Sequence, residues 1–363
     1  MNETGTENGE RPTEAILQML NDTESHIVRR VPTLRNLVIT QDQTLLCAHA
    51  YGRATSSDEQ RDPGFIAPVN SVTKSVIALL IGMLIDRGLI KGVDQTLAEL
   101  LGSRARYLDE SSPAAALTLH DLLSMTSGFL WRDARAGIEP MSHRMMRQSD
   151  WVEFILSLPV QAERIGQYQY NSAVSHLLSA IIEEAAGEST AAFAETQLFL
   201  PLGISRYKWD ADPQNINIGG WGLSLSALSM ARLGQLCVSG YQHYAGSVEQ
   251  DNEHSCKHGS EHGDRQILSG KWIEQMWTGF SDADSPQGRN QPPDYQQASY
   301  GYQWWIRGNQ EIQLFCAEGL GGQMICCIPA LRAAVVTTTD SRRGTLLWPL
   351  LEQHWIPALV RSL

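Results

Sequence analysis

From Val76 to Ile85 every residue is apolar except Gly82, within the stretch "NSVTKSVIALLIGMLIDRGLI" that spans residues 70–90. A helix with this pattern is greasy all round and belongs in a core. Asn70 is placed to cap it, and Gly88 lies where it should end. Upstream, "NLVITQDQTLLCAHAYG" reads as two strands joined by a turn at Gln41-Asp42-Gln43. Between about residue 94 and residue 215 the signals are mostly helical: "LTLHDLLSMTSG", "DWVEFILSL" and "SAVSHLLSAIIEEAAG". In the last of these, Val174, Leu177, Leu178, Ile181, Ile182 and Ala185 form one face at helical spacing, and Gly187 is a natural stop. After about residue 265 the pattern turns to strands, "YGYQWWIRG", "EIQLFCAEG", "QMICCIPA" and "RAAVVTTTD", before a final helix in "LLWPLLEQHWIPALV".

Strands at both ends with helices between predict an α/β (α+β) fold: an antiparallel sheet flanked by helices, built from both termini, with an inserted, mostly helical domain. The expected divisions are a disordered tail over 1–12, a sheet domain from 13–93 and 216–363, and a helical domain over 94–215. Residues 241–264, "YQHYAGSVEQDNEHSCKHGSEHGD", are polar and aperiodic, and read as a solvated, mobile insertion.

At 363 residues the chain can fill one large domain or two moderate ones. A formal net charge of -12 argues against nucleic acid or an anionic membrane as partner. Six cysteines in so long a chain make no disulfide framework, and adjacent Cys326 and Cys327 in an apolar run read as core thiols. The N-terminus lacks the basic start, apolar stretch and cleavage site of a signal peptide, and no apolar run reaches membrane-spanning length. A cytoplasmic location is therefore expected.

The chemistry begins with a lysine beside the buried helix. A charged ammonium there is costly unless paired, hydrogen-bonded or neutral. Ser71-Val72-Thr73-Lys74 places serine and lysine on one helical face. Ser71 sits at the positive end of the helix dipole, and a partly desolvated Lys74 has a lowered pKa and can serve as base. That pair is a nucleophile with an adjacent proton acceptor; the competing reading is a helix cap with a snorkelling lysine. A second copy of the spacing, Ser205-Arg206-Tyr207-Lys208, runs into "WDADP" and reads as a surface turn. Tyr168 and Tyr170 precede the helix that Asn171 or Ser172 caps; each could share a proton with a lysine or simply pack as a staple. Gly319, Gly321 and Gly322 lie between two strands, either as an ordinary turn or where backbone N–H groups complete an oxyanion hole. His254, Cys256, His258 and His262 are zinc-binding residue types, but they fall in the polar insertion with nothing to hold an outer shell, and no metal or cofactor is expected. There is no phosphate-binding glycine loop and no Cys-x-x-Cys pair, and "GLSLS" at 222–226 misses the G-x-S-x-G elbow.

Taken in order, these segments resemble the serine beta-lactamase and penicillin-binding-protein superfamily, and within it the class C-like branch of esterases, D-aminopeptidases and 6-aminohexanoate-oligomer hydrolases. The resemblance runs from about residue 35 to the end. It rests on "NSVTKSVIALLIGMLIDRGLI", "LTLHDLLSMTSGF", "YQYNSAVSHLLSAIIEEAAG", "GGWGLSLSALSMARLGQL" and "YGYQWW". It implies a beta-lactamase/transpeptidase-like fold, Ser71 as acylated nucleophile, Lys74 as its base or proton shuttle, and Tyr170 as the second-motif tyrosine. Ser172 stands two residues after that tyrosine, where the family often has asparagine. The family's third motif, Lys or His then a small residue then glycine, corresponds to Ala317-Glu318-Gly319, so its cation is missing; "GLGGQ" follows, with Gly319 and Leu320 in the oxyanion position. The resemblance thus implies a serine hydrolase that cleaves a small-molecule ester or amide through an acyl-enzyme. A beta-lactamase or D,D-peptidase, and a dead binding or sensor protein, are the alternatives. Oligomeric state is not legible here.

Overall fold

In the computed structural model, which describes residues 14–51, 62–109, 111–132, 139–251, 266–282, 298–308, 312–340 and 347–361, Asp42 and Gln43 both take left-handed backbone, with φ of 50° and 65°. That is the conformation a two-residue hairpin turn needs, and it joins β1 (Leu34–Gln41) to β2 (Thr44–Ala50). Later strands are β3 (Ala67–Pro68), β4 (Lys208–Trp209), β5 (Leu223–Leu225), β6 (Ser281–Asp282), β7 (Ser299–Tyr300), β8 (Trp305–Gly308), β9 (Gln313–Gly319), β10 (Gln323–Ile328) and β11 (Ala333–Thr339). The main sheet has the order β2-β1-β11-β10-β9-β8-β7-β6, and its pairings are antiparallel. The N-terminal hairpin thus joins the C-terminal strands, and β3, β5 and β4 form a small second sheet.

Helices cover both faces. On one face α1 (Glu14–Arg30), a helix the sequence pattern did not signal, shares a core with the C-terminal helical turns, including Ile16, Ile27, Leu37, Cys316, Val335 and Trp355. On the other face α2 (Val72–Asp86) and α5 (Ala227–Asp251) lie against the strands, with α3 (Leu119–Leu123), α4 (Ser172–Ala186) and α6 (Gly270–Met276) packed around them. Their core includes Val76, Leu80, Leu177, Phe315, Ala317 and Ile325. Residues alternate along β9: Leu314 and Cys316 belong to the first core, Phe315 and Ala317 to the second.

The run that opens the chemistry is the central helix α2, buried from Val72 to Leu84. Gly82, its one break in apolar character, is a contact point. A Cβ there would lie 2.1 Å from the Trp272 ring, and the Trp272 indole N–H donates to Ala78 O at 3.1 Å. The helix starts one residue later than the cap assignment: Ser71, not Asn70, is the N-cap. Asn70 cannot cap because its backbone is left-handed, at φ 51°, and its side chain is engaged elsewhere. In α4, Asn171 is the cap, accepting from Ala173 N and Val174 N, and Gly187 ends the helix at φ 70°.

One other sequence reading changes. Helix α5 continues to Asp251, so residues 241–251 of the expected insertion are helical; the rest of it, to 264, lies outside the described residues. That remainder holds His254, Cys256, His258 and His262. Among the described residues no cluster of three or more His, Cys, Asp or Glu could hold a metal, and no helix is long and apolar enough to cross a membrane. The free cysteines among the described residues are buried. Cys316 and Cys326 face each other across β9 and β10, and burial first, then their mutual contact, pushes the Cys316 thiol well above its ordinary range.

Candidate active site

Ser71 ends a two-residue reversal. Asn70 holds a left-handed φ that few side chains adopt, and Ser71 at φ -70° already has helical backbone, with no capping bond from its side chain. Its hydroxyl is therefore not used up by the helix. One turn on, Lys74 is 1% exposed. Its Nζ lies 3.1 Å from Ser71 Oγ and donates to the carbonyl of Gly220 at 2.5 Å. The same Nζ stands 4.9 Å from the centroid of the Tyr170 ring. A carbonyl oxygen and a ring face are the two kinds of neighbour that offset the cost of burying an ammonium.

Gly220 had no assigned role in the sequence, where "GGWG" counted only as a match. Two adjacent glycines were the available signal of close backbone approach. A Cβ on Gly219 would lie 1.9 Å from Ser175 O, and one on Gly220 2.8 Å from Ser172 O. Only glycine lets this segment lie against α4 and aim a carbonyl at Lys74. Ser172, the first residue of α4, flanks this contact with its Cβ 3.0 Å from the same point. The Asn171 side chain is occupied as the helix cap.

Tyr170 sits in the loop before α4, and the chain just after α3 fixes that loop. Gln169 N donates to Met125 O at 2.8 Å, and Asn171 N approaches Met125 Sδ at 3.3 Å. Gln303, also unremarked in the sequence, joins the helices behind the site. Its carbonyl accepts from Ser75 Oγ at 2.7 Å, its Oε1 from Ser175 Oγ at 2.7 Å, and its Nε2 donates to Leu123 O at 2.9 Å. Ser75, next to Lys74, and Ser175, in the first turns of α4, are thus tied to one buried residue. The Tyr168 ring lies 5.2 Å from that of Tyr300. Burial, then the phenols of Tyr170 and Tyr168 and the charge of Glu318, push Tyr300 well above the ordinary tyrosine range, so it stays protonated.

The β9–β10 turn closes the other side. The Asn70 side chain donates to Leu320 O at 2.7 Å, which ties this turn to the start of α2. Gly319 lies so close that an added Cβ would be 2.3 Å from the Val69 carbonyl oxygen. Leu320 is 60% exposed. Gly319→Ala should therefore destabilise the protein by about 1–3 kcal/mol and slow it, because backbone must move to admit one methyl. Gly92→Ala, with nothing within 4 Å, is the control. Urea unfolding of both checks this, and equal midpoints would contradict it.

Glu318, in the middle of the third motif, turns away from α2. Along β9 it lies in phase with Leu314 and Cys316, on the face away from α2, whereas Ala317 is in phase with Gly319. Its carboxylate is paired: Arg307 Nε donates to Oε1 at 2.8 Å and Nη2 to Oε2 at 3.4 Å. Arg307, its side chain 5% exposed, is committed there and supplies no replacement cation. Ser205 and Lys208, the decoy pair, lie on the surface, and Lys208 pairs with Asp210 at 2.8 Å.

A helical layer against an antiparallel sheet, with a serine hydroxyl and a buried amine at the start of the central helix, defines a known hydrolase architecture. The Beta-lactamase family model matches residues 21–348, and the chain belongs to that family. No curated protein matches it in sequence. Among solved structures, it is similar to a candidate 6-aminohexanoate-dimer hydrolase from Bacillus anthracis, at 16% identity and TM-score 0.68, covering 96% of this chain and 82% of that one. It is also similar to an octameric penicillin-binding protein homologue from Pyrococcus abyssi, at 18% identity and TM-score 0.64, covering 94% and 77%. A third is the hydrolase EstCE1, described as having promiscuous acyltransferase activity, at 15% identity and TM-score 0.67, covering 96% and 98%. At these identities the likeness is one of fold.

Proposed function

We propose that the protein is a serine hydrolase of esterase or amidase type. The observation that carries this reading is the contact of Ser71 Oγ with the buried Lys74 Nζ at 3.1 Å, beside the Tyr170 ring. In the acylation step Ser71 Oγ attacks the substrate carbonyl carbon. Its proton passes to neutral Lys74 or to a Tyr170 phenolate. Lys74 keeps an N–H on Gly220 O while its lone pair turns to Ser71. The backbone N–H groups of Ser71 and Leu320 receive the oxyanion, the first at the positive end of a helix. Collapse expels the alcohol or amine, which takes the proton back. Water then attacks the acyl-enzyme by the same route and releases the acid.

The chemistry of the third motif favours neutral substrates over beta-lactams. A cation there would pair with a substrate carboxylate, and Ala317 offers a methyl group instead. Short nitrophenyl esters should be cleaved well and benzylpenicillin poorly. Because the proton acceptor must be unprotonated, activity should rise with pH through an ionisation below the unperturbed lysine value of ~10.4. The test is kcat/KM for both substrates from pH 6 to 10, with intact mass after a fluorophosphonate label. Preference for benzylpenicillin would move the protein to the lactamase and peptidase alternative. No label and no turnover would leave it a binding protein.

A further inference from the structure

We infer that Trp305 is a positioning residue for Tyr170, held in turn by Arg307 and Glu318, so that one stack of side chains ties the phenol to the turn that carries Leu320. This inference rests on the serine hydrolase reading above. The "YGYQWW" segment supplies Trp305 at the start of β8. Its indole is half-buried and stacks on the Tyr170 ring, with centroids 6.0 Å apart and planes 19° apart. Tyr300 meets both rings edge-on, at 5.0 Å from Trp305 and 6.4 Å from Tyr170. A phenol in a loop thereby gains a support that belongs to the sheet.

Trp305 is itself backed. The Arg307 guanidinium lies 5.1 Å from the Trp305 centroid and 4.8 Å from that of Trp348. A guanidinium is the cation suited to this place: it is planar, weakly hydrated, stacks on aromatic faces, and still offers a fork of N–H groups to a carboxylate. That carboxylate is Glu318, which directly precedes Gly319 and Leu320. Leu320 O returns to the side chain of Asn70, the residue before Ser71. The contacts therefore close a circuit: Ser71, Lys74, Tyr170, Trp305, Arg307, Glu318, Leu320, Asn70. Each step is a hydrogen bond, a ring contact or a short run of chain. The Arg307–Glu318 pair occupies the middle of the motif that lost its cation, and holds geometry there in place of a substrate charge.

Among the described residues, the charged or titratable groups around Tyr170 include Lys74 from α2, Tyr168 from its own loop and Tyr300 from β7, with Arg307 and Glu318 beyond Trp305. Releasing Tyr170 from Trp305 frees it to leave the protonated Lys74, whose charge favours the phenolate when near, on the route in which Tyr170 is the acceptor. The experiment compares Trp305→Leu, Trp305→Phe and Arg307→Lys with the wild type, measuring kcat and KM for nitrophenyl butyrate across pH, with thermal melts alongside. For Trp305→Leu we expect kcat to fall about 10- to 100-fold with KM within about threefold. The pH of half-maximal kcat should rise by about half a unit or more. Trp305→Phe, which keeps a ring to stack, should recover most of kcat and the original pH profile. If Trp305→Leu does not fold, Arg307→Lys carries the test, with the same direction in kcat and in pH. Unchanged kcat, or a fall in kcat with an unmoved pH profile and no recovery with phenylalanine, overturns the inference. If Ser71→Ala stays active, the hydrolase reading itself has failed; if Ser71→Ala is dead while the Trp305 and Arg307 variants match wild type, only the stack has.

Discussion

Ser71→Ala is expected to abolish turnover and leave the fold intact. The Ser71 hydroxyl stands at the start of α2 with a buried amine 3.1 Å away, so under the proposed mechanism its loss removes the covalent route outright. The barrier should rise by at least about 5 kcal/mol, close to four orders of magnitude in kcat. Stability should change little. Ser71 makes no side-chain cap bond, so the usual cost of about 1 kcal/mol for losing a cap does not apply. Its one side-chain hydrogen bond accepts from Lys74, which keeps Gly220 O as a partner. A thermal melt, nitrophenyl ester turnover and a peptide map of fluorophosphonate-treated wild type check the three parts. Label on Ser205, or activity surviving in Ser71→Ala, sinks the assignment. Ser205→Ala should match wild type, since that serine is exposed.

The second large effect belongs to Lys74→Arg. Arginine keeps the charge, so a lysine acting only as a fixed cation would be partly replaced. A proton acceptor would not be, because a guanidinium stays protonated at any working pH. The site is also too tight: Lys74 is 1% exposed and its Nζ already lies 2.5 Å from the Gly220 carbonyl. Loss of at least about three orders of magnitude in kcat is expected from pH 6 to 10, with no recovery at the alkaline end. The rate of Ser71 labelling by a fluorophosphonate, followed by intact mass, reads the same step without a leaving alcohol. Retention of a tenth of wild-type activity would falsify the role of Lys74 as base.

Different parts of the site were legible to different degrees. Ser71 and Lys74 are three residues apart on one helix, so their contact follows from helical geometry alone. Tyr170 comes almost a hundred residues later, and only the resemblance pointed to it, since aromatic residues before a helix commonly just pack. Gly220 acts through its main-chain carbonyl, a group every residue has, and the glycine pair was its only mark. Asn70 looked like a cap because capping residues are recognised by type; its left-handed backbone and its bond to Leu320 come from a turn 250 residues away.

The sequence by itself determined the elements whose signals are local: the all-apolar α2, the one-sided α4 with its glycine stop, the hairpin at Asp42-Gln43, and the serine–lysine spacing. Each depends on residues within a few turns of one another, so periodicity and turn chemistry suffice. The tertiary structure decided which face of each C-terminal strand meets α2. Strands β9 and β10 are buried on both faces, so their alternation carries no label for inside and outside. Whether Glu318 faced α2 or Arg307 therefore depended on packing against α1 on one side and α2 on the other. The same holds for the pairing of Trp305 with Tyr170. Stacking and ion pairing across separate elements depend on how the layers meet, and no local pattern in either segment records that.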